Sequence, residues 1–280
     1  MCDYPQHKYK PGDIRTKNNV KIGHWEEDVF IKCGKCYKCR LQNMRSWLFR
    51  LSQECLEHSC THFVTLTYDN EHVPITPKGF LTLQKKDVQT FIRYLRRKQK
   101  EKIKFLAVGE YGTVNKRPHY HILLFNVRNP ESIYQSWIDN EGIQKGEIHI
   151  GEVTEKSIAY TLEYISVYEQ PLPDWKDIQP TFKLQSTGLG KAWLDKGGRS
   201  FLEKNVPTFL NVDKTKIGIP KYYKDQVYKD EILKDNYHEK IRMVITELKN
   251  DEYYNNTLEQ LEQKRRARLN KLKTKKSKKQ

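Results

Sequence analysis

The chain has 280 residues, 31% of them charged, with a formal net charge of +16; that is room for one large domain or a domain with appendages. No apolar run approaches the ~18 residues of a membrane span, and the N-terminal stretch MCDYPQHKYKPGDIRTKNN lacks the apolar core of a secretory signal. A soluble, intracellular protein with no membrane partner is expected. Ten of the basic residues lie between Lys264 and Gln280 without one acid, leaving about +6 for the rest of the chain. Such a basic arm meets nucleic acid more often than an anionic membrane, and Lys264, Arg265, Arg266 and Arg268 open it.

Along the chain, the first feature is Cys33, Cys36 and Cys39, spaced C-x2-C-x2-C. In a reducing compartment this spacing suits thiolate coordination of Zn2+. The ferredoxin pattern would need a cysteine where Asn43 stands. A fourth zinc ligand could come from Cys55, Cys60, His58, His62 or His24, and a cluster of reduced cysteines at a loop-to-helix junction is an equal alternative. From Cys39 to about His58, Leu41, Met44, Leu48, Leu51 and Cys55 recur at three- and four-residue spacing, predicting an amphipathic helix. Thr61–Tyr68, rich in β-branched and aromatic residues, reads as a strand. After a Pro/Gly loop, Gln84–Lys100 reads as a helix with Val88, Phe91, Ile92 and Leu95 on one face.

Ile103–Gly109 reads as a strand ending at Glu110. Pro118–Phe125 is a second, buried one. Alternation puts His119 and His121 on the same face of that strand and Tyr120 on the other. Two imidazoles on one face, with a carboxylate brought alongside by the tight loop at Glu110, make a three-ligand metal site with open positions for substrate. Two ordinary half-buried histidines would read the same way. Pro130–Asn140 suits a helix and Glu147–Val153 a strand. The order β-α-β-β-α-β is that of a ferredoxin-like or RRM-like antiparallel sheet, an α+β fold with helices on one face and the other open. Thr154–Tyr168 suits a further helix, with Tyr160 and Tyr164 one turn apart. Pro171, Pro173 and Pro180 mark a linker, Gly188-x-Gly190-Lys191 has no evident physical role, and Asp225–Leu248 reads as one helix. The expected organisation is an N-terminal segment (1–60), a core domain (61–170), a helical extension (171–250) and a basic tail (251–280).

Three motifs in order, Phe63-Val64-Thr65-Leu66-Thr67, Pro118-His119-Tyr120-His121 and Tyr160-x3-Tyr164, resemble the two-tyrosine rolling-circle replication initiators of the HUH endonuclease superfamily, in particular those of gokushovirus-type microviruses. CGKCYKCRLQ at 33–42, GEYG at 109–112 and GIPKYY at 218–223 add to the likeness. The resemblance implies that His119, His121 and Glu110 bind Mg2+ or Mn2+ and that Tyr160 and Tyr164 are nucleophiles. By the same resemblance, these would nick and rejoin single-stranded DNA at a replication origin through a 5′-phosphotyrosine. Thr65, Thr67, Lys116 and Arg117 would face that DNA. Glu163 stands where relatives tend to carry a lysine, which leaves Lys116, Lys156 or Arg117 to assist a phenol. No NTPase motif is visible, so a host helicase is implied, together with a host DNA polymerase, in the bacterial cytoplasm. A plasmid relaxase or transposase would share the chemistry. A non-catalytic RRM module is the rival of another class, but its aromatic sheet signature is missing.

Overall fold

The computed structural model describes residues 6–7, 30–31, 33–34, 36–112, 115–166, 177–212 and 215–250. The basic tail, including Lys264, Arg265, Arg266 and Arg268, lies outside them, as do His24, Pro171 and Pro173.

A small two-residue pair, β1 (Gln6–His7) with β2 (Phe30–Ile31), comes first in the chain. At the centre is a five-stranded sheet, antiparallel throughout, of β3 (Thr61–Leu66), β4 (Lys104–Tyr111), β5 (Pro118–Phe125), β6 (Ile148–Gly151) and β7 (Phe182–Gln185), in the order β6-β3-β5-β4-β7. The fold is α+β, as the alternating segments predict. β5 is the middle strand, and its apolar run ILLF is fully buried, as a strand covered on both faces requires.

Both faces of the sheet carry helices, so the expected open face is not there. On one face, α2 (Lys85–Lys98) and the short α3 (Glu131–Tyr134) pack Val88, Phe91, Ile92, Leu95 and Ile133 against Val64, Leu66, Tyr120, Ile122 and Leu124. On the other, α1 (Tyr37–Cys55) and α4 (Glu155–Ser166) set Trp47, Leu51, Ile158 and Leu162 on Leu106, Leu123 and Phe125. Each fully buried leucine there is worth about 2 kcal/mol of transfer free energy. The cover reaches only the Phe125 end of β5; at the Pro118 end the same face carries His119 and His121.

Local chemistry explains the shifted boundaries. The helix expected over Pro130–Asn140 stops at Tyr134. Asp139 Oδ1 accepts the amides of Glu141 and Ile143 at 2.9 and 2.8 Å, and this side-chain turn competes with the helix. Trp137 donates its indole N–H to Thr67 O at 2.8 Å and is buried. The helix expected over Asp225–Leu248 is two, α6 (Lys221–Val227) and α7 (Glu231–Asn250), because Asp230 caps the second: Ile232 N–H donates to its Oδ1 at 2.9 Å.

α5 (Arg199–Asn205), the pair β8 (Phe209–Val212) and β9 (Thr215–Gly218), and α6 form a second cluster that α1 enters with Phe49. Gly190 joins the two. Its N–H donates at 2.7 Å to Glu54, a fully buried carboxylate also held by Lys104 at 2.7 Å and His58 at 2.9 Å. Arg50 clasps Leu189 O through Nη2 at 2.9 Å, and Tyr223 Oη donates to Gly190 O at the same distance. Gly190 has φ +75°, and a Cβ there would sit 2.7 Å from Arg50 O. So the Gly188-x-Gly190 motif has a structural role. Gly190→Ala should cost about 2–4 kcal/mol through left-handed strain and a clash with backbone, read as a lower urea midpoint at unchanged m-value.

Candidate metal centre and tyrosine site

The pairing register builds the site. β3 and β4 flank β5 with Thr65 opposite His121 and Glu110 opposite His119. Glu110 therefore lies within β4, not in a loop after it, and the β-ladder fixes the carboxylate between the two imidazoles. The expected tight turn comes later, between Tyr111 and Pro118.

Glu110 Oε1 lies 2.7 Å from His119 Nε2 and 2.9 Å from His121 Nε2. One ligand atom from each of the three residues falls within 4.8 Å of the others. Glu110 is 4% and His121 5% exposed, so the trio sits at the inner end of a cleft. The other ring nitrogens are held from outside: His119 Nδ1 lies 3.2 Å from Arg117 O, and His121 Nδ1 3.1 Å from Thr65 Oγ1. Such outer partners fix ring orientation and leave Nε2 to face a metal. Phe63 stacks on His121 at 5.6 Å with the planes 16° apart.

Electrostatics follow from these contacts. Burial by itself would raise the Glu110 carboxyl, but the hydrogen bonds from His119 and His121 outweigh it and hold the group below the ordinary carboxylate range. Burial would likewise lower His119; the hydrogen bonds to Glu110 and to Arg117 O outweigh it and raise the imidazole above its ordinary 6.5. With both nitrogens against acceptors, His119 without a metal is an imidazolium.

Tyr160, on α4, is 42% exposed, and its ring stands 5.1 Å from that of His121 and 6.3 Å from that of Phe63. The apolar stripe of α4 that meets the sheet is Ile158 and Leu162. The tyrosine is therefore not part of that packed stripe and borders the metal trio. Tyr164 follows one turn along α4; its side chain lies outside the described residues. Glu163 is exposed on the same helix.

The remaining expected residues divide. Thr65 turns its hydroxyl to His121, a role that reading the strand alone missed; alternation with Phe63 on the same face was the available signal. Thr67 bonds Glu147 O at 3.2 Å and lines a cavity of about 530 Å³ with Tyr68, Asp69, Arg117, Gln144, Gly146 and Glu147. Arg117 is largely committed, donating through Nη2 to Tyr68 O at 2.8 Å and through Nη1 to Asn70 Oδ1 at 3.0 Å. Lys116 is exposed in the preceding turn, with φ +50°.

Cys33, Cys36 and Cys39 converge at the start of α1, again within 4.8 Å of one another. Four of the suggested fourth ligands do not join them. Cys55 is about 24 Å further along the helix axis. Cys60 follows that end of the helix, His58 is bonded to Glu54, and His62 is bonded to Val127 O at 2.9 Å.

Comparison with known proteins agrees with this geometry. Residues 61–168 match the family model described as replication-associated protein ORF2. The chain is 31% identical over 257 residues to the replication-associated protein ORF2 of Spiroplasma virus 4, covering 83% of this chain and 78% of that one. It is 28% identical over 237 residues to the replication-associated protein VP4 of Bdellovibrio phage phiMH2K, covering 76% and 72%. A third likeness, to the replication-associated protein ORF4 of Chlamydia phage 1, is 28% over 222 residues and spans 54% of that protein. No solved structure matches.

Proposed function

The chain belongs to the replication-associated protein ORF2 family of phage replication proteins, and from that premise we propose that it nicks and rejoins single-stranded DNA at the replication origin. The observation that carries this is the juxtaposition of the Glu110–His119–His121 trio with the Tyr160 phenol. The helix and strand order β3-α2-β4-β5-α3-β6 supports reading the core as a ferredoxin-like HUH fold.

The donor set fits a divalent ion. Two oriented Nε2 atoms and an ionised carboxylate converge in a cleft, and other coordination positions are left for phosphate oxygens and water. When bound, Mg2+ or Mn2+ would act as a Lewis acid on a non-bridging phosphate oxygen. The protein's own groups do the rest. Thr65 and the Arg117 carbonyl hold the imidazoles in place. The Tyr160 oxygen attacks phosphorus as its proton leaves, and the bond to the 3′ oxygen breaks with that oxygen taking up a proton. The products are a 5′-phosphotyrosine and a 3′-hydroxyl able to prime a polymerase. Because the ester conserves the bond, the reverse step rejoins ends without ATP. Tyr164, one turn on, would serve the second cleavage. The cavity beside Thr67 offers the strand a path to the site, and the basic tail would hold phosphates further out.

Incubating the full chain with a labelled single-stranded origin oligonucleotide and Mn2+ tests this: a covalent protein–DNA adduct should form, and should not form with chelator present. Binding without any adduct would instead favour a non-catalytic DNA-binding role.

The metal-free His119 imidazolium sets a pH dependence. A divalent ion must displace that proton, so affinity should rise with pH through the region just above the imidazole's ordinary 6.5 and fall as the proton returns. Calorimetric titration with Mn2+ in buffers of different ionisation enthalpy should register the released proton. His119→Gln, which has none to lose, should flatten the profile.

A further inference from the structure

We propose that Cys33, Cys36 and Cys39 bind one structural Zn2+ ion, which clamps the chain ahead of α1 onto that helix's first turn. Their sulfurs lie within 4.8 Å of one another. Tetrahedral Zn–S bonds of ~2.3 Å place sulfurs ~3.8 Å apart, so the site needs only a small contraction. Among the described residues none of the three forms a disulfide. Cys36 and Cys39 are 8% and 7% exposed, yet among the described residues the cluster consists of the cysteines alone, with no larger apolar core enclosing them. Packing as small hydrophobes therefore does not account for their convergence.

The backbone is shaped for the purpose. Gly34 takes φ +72° with open space around its Cα, turning the chain so that Cys36 N–H donates to Cys33 Sγ at 3.3 Å. An amide aimed at sulfur favours a sulfur that carries negative charge. Cys36 is the N-cap of α1 with no side-chain cap bond, so the positive end of the helix dipole faces the same cluster. Soft thiolates select zinc over the Mg2+ or Mn2+ suited to oxygen donors, which keeps this site chemically distinct from the histidine centre. The three thiolates fill three of zinc's four positions.

Purified full-length protein should contain one zinc equivalent by elemental analysis. Titration with Cd2+ should raise a thiolate-to-metal charge-transfer band that saturates at one equivalent. Cys36→Ser should lose both the zinc and the band, whereas the paired His119→Ala and His121→Ala variant should keep them. Should Cys36→Ser fail to fold, the Cd2+ titration of the unaltered chain decides by itself. No charge-transfer band, or a zinc equivalent lost with the histidines and kept without Cys36, overturns the assignment. The outcome is independent of whether the tyrosines cleave DNA.

Discussion

His121→Ala should slow origin nicking by about 10³-fold or more, since losing a well-placed electrostatic stabiliser costs ~3–4 kcal/mol and each 1.4 kcal/mol is a decade in rate. His121 is the more enclosed of the two imidazoles: it is opposite Thr65, beneath Phe63, and beside the Tyr160 ring. Its removal would take away one of three ligands and one of the two hydrogen bonds that keep the Glu110 carboxyl ionised. Binding of single-stranded DNA should change only a few-fold, because phosphate contacts elsewhere supply most of that affinity. His121→Gln is the useful companion, keeping volume and one polar atom while changing the donor. Single-turnover nicking and filter binding, measured on the same preparations, separate the two effects. Nicking by His121→Ala at the wild-type rate under Mn2+ would remove the trio from the mechanism.

The double replacement Tyr160→Phe with Tyr164→Phe should abolish the covalent adduct entirely, with no residual slow phase. A phenol is a poor nucleophile at neutral pH, and a phenyl ring is none. Single replacements should divide unevenly. Tyr160 borders the trio, so Tyr160→Phe should remove most of the first cleavage. Tyr164→Phe should leave that cleavage and fail at the second, which ends a replication round. The exposed Glu163 carboxylate next to Tyr164 disfavours a phenolate there and sharpens the asymmetry. Phosphotyrosine mapping by mass spectrometry reads the result directly, and an adduct peptide containing neither residue would sink the assignment.

How much of this was visible in the sequence depended on whether the information was local. Strand alternation alone put His119 and His121 on one face, and the apolar ILLF run marked β5 as internal. Glu110 was found as a candidate for a reason that proved incomplete: its position depends on which strand residue it faces, and register is set by the whole ladder. The apolar stripe of α1 announced burial but not against what, so the second helical layer went unseen. Four-residue β7, FKLQ, has too little alternation to stand out and is a strand only because β4 offers it an edge. Asp139 and Asp230 were legible in principle, as side chains that start turns and caps, and the longer periodicity around them masked both. The side-chain role of Thr65 needed the register as well.

The cover over the histidine face has a consequence for how such a gene can be divided. The recognised block, residues 61–168, contains the trio and Tyr160 but not α1, β7 or the Leu189–Gly190 turn. Trp47, Leu51 and Leu189 come from outside it and finish the cluster above Leu123 and Phe125. Expressed as a fragment, the block would show water a stripe of leucine and leave β4 as a bare edge. Grafted between two phages, it would meet a foreign helix on its most closely packed side. Productive recombination should therefore break ahead of Tyr37 or beyond Tyr223, so that the catalytic residues are inherited together with their cover.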